Sequence, residues 1–321
     1  MFPYLRFELK LRPAGALRKA AGQRRRALAG PRLRRVLGKC LIDRFCPFGK
    51  PICESRVSDE AASSPTELCD LAPTCPYGVA FAESCGRRPP FALYVPGEGG
   101  AKAPDRVELT LYGAGWRLYP WMLQGLREAL RGGLGKGRLQ WEIEEVWRLR
   151  ADGEELLDSG SESLPARLSP ELLGLSLEPF LAPQQLEVRL CSPTRLIDQG
   201  RLVRRAAVGL ELLVARILDR FGGLYGDDSS EILRPEIRGP IEAQAARVPL
   251  LVDETTWVEA PDYSARSRSK LSLGGKVGRL VYGEAAAPFY GILRAGEILH
   301  VGKNPASGRG RIKVDLLAAP R

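Results

Sequence analysis

The chain has 321 residues, 44% of them hydrophobic and 27% charged, which is enough for two domains with well-buried cores. Its net charge of +10 is unevenly spread: residues 1–50 hold 14 Lys/Arg against two acids, residues 262–321 hold 11 against four, and the stretch between is acidic. Basic blocks at both ends fit a polyanion partner better than a uniformly solvated surface does, while the lack of a long apolar span, a lipidation signal or a signal-peptide core in MFPYLRFELK argues against a membrane and predicts a cytosolic protein.

Tyr4–Leu11 alternates apolar and polar residues, which predicts a strand with one buried face. Leu17–Leu41 predicts a helix broken near Gly30-Pro31, with Leu33, Val36, Leu37 and Leu41 at helical spacing. From Cys46 to Arg88 the pattern dissolves into Pro, Gly, Ser and Cys, an inserted loop region spanning about 42–90. Strands are expected at Phe91–Val95 and Val107–Tyr112, then an amphipathic helix at Tyr119–Leu130, the glycine loop GGLGKGR (132–138) and a strand at Leu139–Leu149. Residues 151–184, rich in Pro, Ser and acid, read as a linker with one helical turn.

The same order then returns: strand Leu186–Cys191, helix Ala206–Phe221, strands Val248–Val258 and Val277–Tyr282, and a short helix Phe289–Ala295. The run Ile298–Val301 leads into a second glycine loop and a last strand, Arg311–Leu316. Two βαββαβ units predict an α+β fold of tandem ferredoxin-like domains, residues 1–150 and 185–321 joined by 151–184, with the cysteine-containing insert in the first.

The second loop, ILHVGKNPASGRGRIK, carries the chain's only histidine, His300, and the cations Lys303, Arg309 and Arg311. Glycines let a backbone approach a bulky partner, and exposed N–H groups beside Lys and Arg suit phosphate oxygens. A basic hairpin turn is the plainer reading, but the first loop, with Lys136 and Arg138, repeats the design. Six of seven cysteines lie between Cys40 and Cys85, a clustering that suggests metal in a reducing compartment. Cys40, Cys53, Cys69 and Cys75 are the first choice of ligands for a structural zinc. No CxxC pair is present, so reduced, partly buried thiols are the competing reading.

Four segments resemble the CRISPR-associated endoribonucleases of the RAMP superfamily that cut precursor CRISPR RNA within its repeats. They are Gly30-x-x-Leu33-Arg34-x-x-Leu37-Gly38 on the first helix, Cys69-x5-Cys75-Pro76-Tyr77 after Cys40, Ser192-Pro193-Thr194-Arg195-Leu196, and Gly274-Gly275-x-x-Gly278 followed by Leu299–Lys303 and Ser307–Gly310. The resemblance implies tandem ferredoxin-like domains, repeat RNA as partner, other CRISPR effector subunits as further partners, and cleavage that needs no metal or cofactor. In that chemistry the ribose 2′-OH attacks the adjacent phosphate, leaving a 2′,3′-cyclic phosphate. Many members place a histidine on the first helix after its glycine; here Gly38 is followed by Lys39, so His300 and Lys39 are the catalytic candidates. His300 has a suitable ordinary pKa but can equally be structural, and Lys39 can steady the phosphorane but is a poor base. The RNA-contact candidates are Arg24, Arg25, Arg26, Arg32, Arg34, Arg35, Lys136, Arg138, Arg195, Lys303, Arg309 and Arg311, with the basic loop of Arg266, Arg268 and Lys270. Trp116, Tyr119 and Trp121 can stack on bases or belong to the core. The missing first-helix histidine leaves a silent RNA-binding subunit as the rival to an enzyme.

Overall fold

The structure, a computed structural model, describes residues 2–14, 27–47, 71, 74–81, 88–98, 105–135, 137–159, 167–178, 184–264 and 269–318, and of 261–264 and 269–272 the backbone alone. The chain forms two compact units, Phe2–Leu172 and Leu173–Arg321. No helix among the described residues is long and apolar enough to cross a membrane.

In the first unit, strand β1 (Phe2–Pro13) buries Leu5, Phe7, Leu9 and Leu11, the alternation read from sequence. Helix α1 (Gly30–Phe45) starts at Pro31, whose fixed φ and missing N–H suit a helix's first turn, and buries Leu33, Leu37 and Leu41. A Cβ on Gly38 would sit 3.1 Å from the Phe81 ring, so this glycine lets the short α2 (Pro76–Phe81) dock on α1. Strands β2 (Phe91–Tyr94) and β3 (Arg106–Tyr112) follow, then α3 (Tyr119–Gly132) and β4 (Trp141–Arg150). Gly125 of α3 is equally constrained: a Cβ there would lie 2.8 Å from Leu37 of α1.

The region expected to hold a helical turn instead contains two strands, β5 (Gly153–Asp158) and β6 (Glu171–Leu173). The antiparallel sheet runs β2-β3-β1-β4-β5, with β6 also paired to β1. β5 was not legible because its first four residues are exposed, so neither face imposes alternation. Asp158 at its end is buried and pairs with Arg127 of α3, and the Tyr4 hydroxyl donates to Glu171 at 2.7 Å.

The second unit opens with β7 (Gln184–Thr194) and a small hairpin, β8 (Ile197–Asp198) and β9 (Arg201–Leu202). Helices α4 (Leu210–Tyr225) and α5 (Pro235–Ala245) follow, the latter not expected from the sequence. Arg238 of α5 bonds Asp219 of α4 at 2.6 Å. The expected strand 248–258 is two, β10 (Leu250–Asp253) and β11 (Thr256–Val258), divided by a polar turn. Beyond the hairpin β12 (Pro261–Ser264) and β13 (Ser269–Ser272) come β14 (Gly275–Tyr282), α6 (Tyr290–Leu299) and β15 (Ile312–Ala318). The sheet order β10-β14-β7-β15 is antiparallel throughout, with β11 on β14. Leu186, Val188 and Leu190 of β7 and Leu213, Ile217 and Phe221 of α4 are buried in its core. A Cβ on Gly296 would sit 2.6 Å from Ile217, the close approach that lets α6 lie beside α4.

Candidate nucleic-acid interface

In the second unit, three separated sequence segments meet backbone to backbone. The end of β7 and the residues after it, Ser192–Leu196, form the middle layer. On one side the start of β14 approaches so closely that a Cβ on Gly275 would lie 2.6 Å from the Thr194 nitrogen. On the other side lies the loop after α6: Lys303 N–H donates to the Arg195 carbonyl at 3.0 Å, Gly310 N–H to the Pro193 carbonyl at 3.3 Å, and Arg311 N–H to the Ser192 hydroxyl at 3.0 Å. Gly302 and Gly310 are required here. Both have positive φ, and a Cβ would meet the Arg195 carbonyl at 2.4 Å or the Val301 carbonyl at 1.9 Å.

This corrects the expectation that the loop's N–H groups cradle phosphate. Those of Val301, Lys303, Ser307, Gly308, Arg309, Gly310 and Arg311 are all taken by protein acceptors. Residues 305–310 are buried, Gly302 and Arg311 are half-buried, and Lys303 and Asn304 are exposed at the loop's tip. Arg309, expected at RNA phosphate, is 3% exposed. Arg311 turns its guanidinium to the Glu297 carbonyl at 2.6 Å and the Ile312 carbonyl at 3.2 Å. The loop therefore works as a buttress under Arg195 and Lys303, not as a nest.

The end of α6 is clamped by arginines from two directions. Arg220 of α4, buried, donates to the Leu299 carbonyl, and Arg311 takes the carbonyl two residues earlier. Cations suit a helix C-terminus, where carbonyls lack intrahelical partners. Glu297 accepts from Val314 N–H and Arg294, tying the same turn to β15. His300 follows at φ +62 and ψ 148, backbone territory that belongs almost wholly to glycine. Its ring is 2% exposed, with Nδ1 3.1 Å from the Arg309 carbonyl. A carbonyl can only accept, so Nδ1 carries the proton in that contact. Arg220 was missed from the sequence, although a charged residue three positions after Ile217 on an apolar stripe is a readable sign of a buried partner.

In the first unit, Arg32, Arg35 and Lys39 recur at three- and four-residue spacing along one side of α1, with Arg35 and Lys39 exposed. Arg32 donates to the Ala27 carbonyl at 3.2 Å, and Arg34 lies over the Phe81 ring at 5.3 Å. The loop after α3 comes back to this helix end: a Cβ on Gly135 would lie 3.5 Å from the Arg32 Nη1. Arg138 is exposed and caps the Gly132 carbonyl at 3.0 Å. Tyr119 is core, stacked 6.2 Å from Phe7, while Trp116 is half-buried and Trp121 is 40% exposed. Arg24, Arg25, Arg26, Lys136, Arg266, Arg268, Cys53 and Cys69 lie outside the described residues, as does the side chain of Lys270. Cys40 and Cys75 are half-buried; burial, with Glu128 and Asp43 nearby, pushes the Cys40 thiol up and favours its protonated form. Among the described residues no group of three His, Cys, Asp or Glu side chains is placed to hold a metal.

Residues 2–169 match a family model described as an N-terminal domain, and residues 188–312 match the model of the CRISPR-associated endoribonuclease Cas6. By sequence, no curated protein matches the chain. Its fold is similar to that of a product complex of Thermus thermophilus Cas6, at 16% identity over 98% of this chain and 99% of that one, with a TM-score of 0.55. It is also similar to a partial Cas6-RT-Cas1–Cas2 complex, at 13% identity over 98% of this chain and 46% of that one, with a TM-score of 0.50. The segments that converge on Arg195 and Lys303 fall inside or beside residues 188–312, the region of this chain that is similar to the CRISPR-associated endoribonuclease Cas6.

Proposed function

We propose that this chain binds CRISPR repeat RNA and cuts precursor CRISPR RNA within its repeats, in the cytoplasm and in company with other CRISPR proteins. The observation that carries the RNA-binding part is the junction of Ser192–Leu196 with the loop 300–311. It spends buried glycines and inward N–H groups to hold Arg195 and the exposed Lys303 on adjacent backbone. Such fixed cations position a phosphate backbone without reading its bases. Both units share the strand order of a βαββαβ sheet, β2-β3-β1-β4 in the first and β10-β14-β7-β15 in the second, which supports tandem ferredoxin-like RAMP domains.

The chemistry in this reading is attack of the ribose 2′-OH on the adjacent phosphate, with no metal ion, giving a 2′,3′-cyclic phosphate and a 5′-hydroxyl. Lys39 is exposed on α1 and His300 is not. Lys39 is therefore assigned to the charge that builds on the phosphorane oxygens, aided by Arg35, and His300 to holding the loop through Nδ1. Catalysis then rests on in-line positioning and cationic stabilisation more than on a strong base. The cysteines are assigned as reduced thiols; about one equivalent of zinc by elemental analysis would reassign the set that includes Cys40, Cys53, Cys69 and Cys75.

The test is incubation of the chain with its host's repeat RNA in EDTA, followed by end-group analysis. A single cut per repeat with a cyclic phosphate supports the reading. Tight binding without any cut would make the chain a silent subunit.

A further inference from the structure

The hairpin β8–β9 and the residues just after it carry exposed arginines close together. Many exposed or half-buried arginines in the second unit have carboxylate partners: Arg189 and Arg279 share Glu187, Arg216 and Arg238 share Asp219, and Arg234 and Arg294 have Glu231 and Glu297. Arg201 and Arg205 are exposed and, among the described residues, have no ion-pair partner; the exposed Lys303 has none either. Arg204, between them, lies 4.8 Å over the Trp257 ring and 3.6 Å from Glu259.

The hairpin is also tightly built. Gln199 and Gly200 both have positive φ (44° and 77°), the signature of the tight two-residue turn whose twist matches paired strands. Asp198 pairs with Arg201 in the strand register, and Val203 N–H donates to the Leu196 carbonyl at 3.0 Å. Leu196 and Val203 are buried beneath it. Arg195, one residue ahead of Leu196, accepts from the Lys303 N–H, so the hairpin's base is fixed to the glycine loop. A well-anchored turn carrying Arg201 and Arg205 without ion pairs presents positive charge at a defined place, which attracts a polyanion at reduced ordering cost.

We infer that the hairpin is a phosphate-binding surface for the RNA backbone, with Arg201 and Arg205 as its contacts and Lys303 continuing it on the glycine loop. The Arg204–Trp257 stack forms its floor. This deepens the RNA-binding reading and rests on it.

The experiment measures affinity of the full chain for repeat RNA by fluorescence anisotropy between 50 and 200 mM KCl. Each lost phosphate contact should flatten the salt slope by about 0.7 for single-stranded RNA. Arg201→Ala/Arg205→Ala should thus reduce it by about 1.4, so that the advantage of wild type shrinks about sevenfold across that range. A charge-matched control, Arg216→Ala/Arg234→Ala, removes two arginines already paired with acids and should leave the slope near wild type. A hairpin variant with the wild-type slope overturns the inference, as does a control that flattens the slope equally. If wild type itself shows no salt-dependent RNA binding, the parent reading falls with it, and that outcome is distinct because it needs no variant.

Discussion

The Arg220 side chain of α4 donates to the Leu299 carbonyl, setting a buried cation at the end of α6 one residue before His300. Immediately after that contact the chain leaves the helix through a backbone conformation that a histidine rarely adopts. Strained residues of this kind persist only where their surroundings over-determine them. Here the surroundings are Arg220, Arg311 and the carbonyl of Arg309 on the imidazole.

Replacing Arg220 by Met should therefore lower unfolding free energy by about 2–3 kcal/mol, since it strips a buried carbonyl of its donor and the helix end of a cation. Urea denaturation of the full chain measures this. A loss below 0.5 kcal/mol would show that the clamp is incidental.

Glycines should divide sharply by position. Gly310→Ala places a Cβ 1.9 Å from the Val301 carbonyl at φ +76 and should unseat the loop, weakening RNA binding at least tenfold. Gly132→Ala, at the end of α3 with nothing within 4 Å, should be neutral or stabilise by up to about 1 kcal/mol. Equal effects from the two, read by melting temperature and RNA affinity, would contradict this account of the loop.

Glu187 sets an acid limit on the second unit. Burial alone would raise its pKa, but hydrogen bonds from Arg279 and Arg189 outweigh that and hold it below the ordinary glutamate value. A depressed folded-state pKa gives stability that is fully present above the unfolded value, near 4.3, and is lost as pH falls through the folded one. Glu187→Gln should thus cost stability at pH 7 and much less at pH 3. Urea midpoints that drop equally at both would exclude this linkage.

Most of the sheets and their helices were legible because one-sided burial imprints a period: Leu5, Phe7 and Leu9 at two, Leu33, Leu37 and Leu41 at four. β5 and α5 were not, since exposed residues dominate both and leave no stripe. For the site, the glycines at 302 and 310, read from sequence as an approach to a bulky partner, approach the chain's own carbonyls. Sequence also cannot say which arginines are spent internally. Arg309 and Arg311 look like Lys303 on paper, yet only Lys303 reaches solvent fully. Arg201 and Arg205 went unnoticed because acidic neighbours in sequence, such as Asp198, do not reveal which charges pair in space.

The catalytic assignment separates two residues. Lys39→Ala should slow single-turnover cleavage about a hundredfold with binding near wild type, as expected for lost transition-state charge stabilisation. His300→Ala should instead lower stability and RNA affinity together through the loop. Normal folding and binding with a cleavage loss of a hundredfold or more in His300→Ala would make the imidazole the general base.

In the proposed chemistry the RNA is cut by its own 2′ oxygen. The most direct test is single-turnover cleavage, in EDTA, of repeat RNA carrying one 2′-deoxy nucleotide just upstream of the cut. Binding like that of the all-ribose substrate and no product are expected. Cleavage of the deoxy substrate at the normal rate, or products with 5′-phosphate ends, would contradict it.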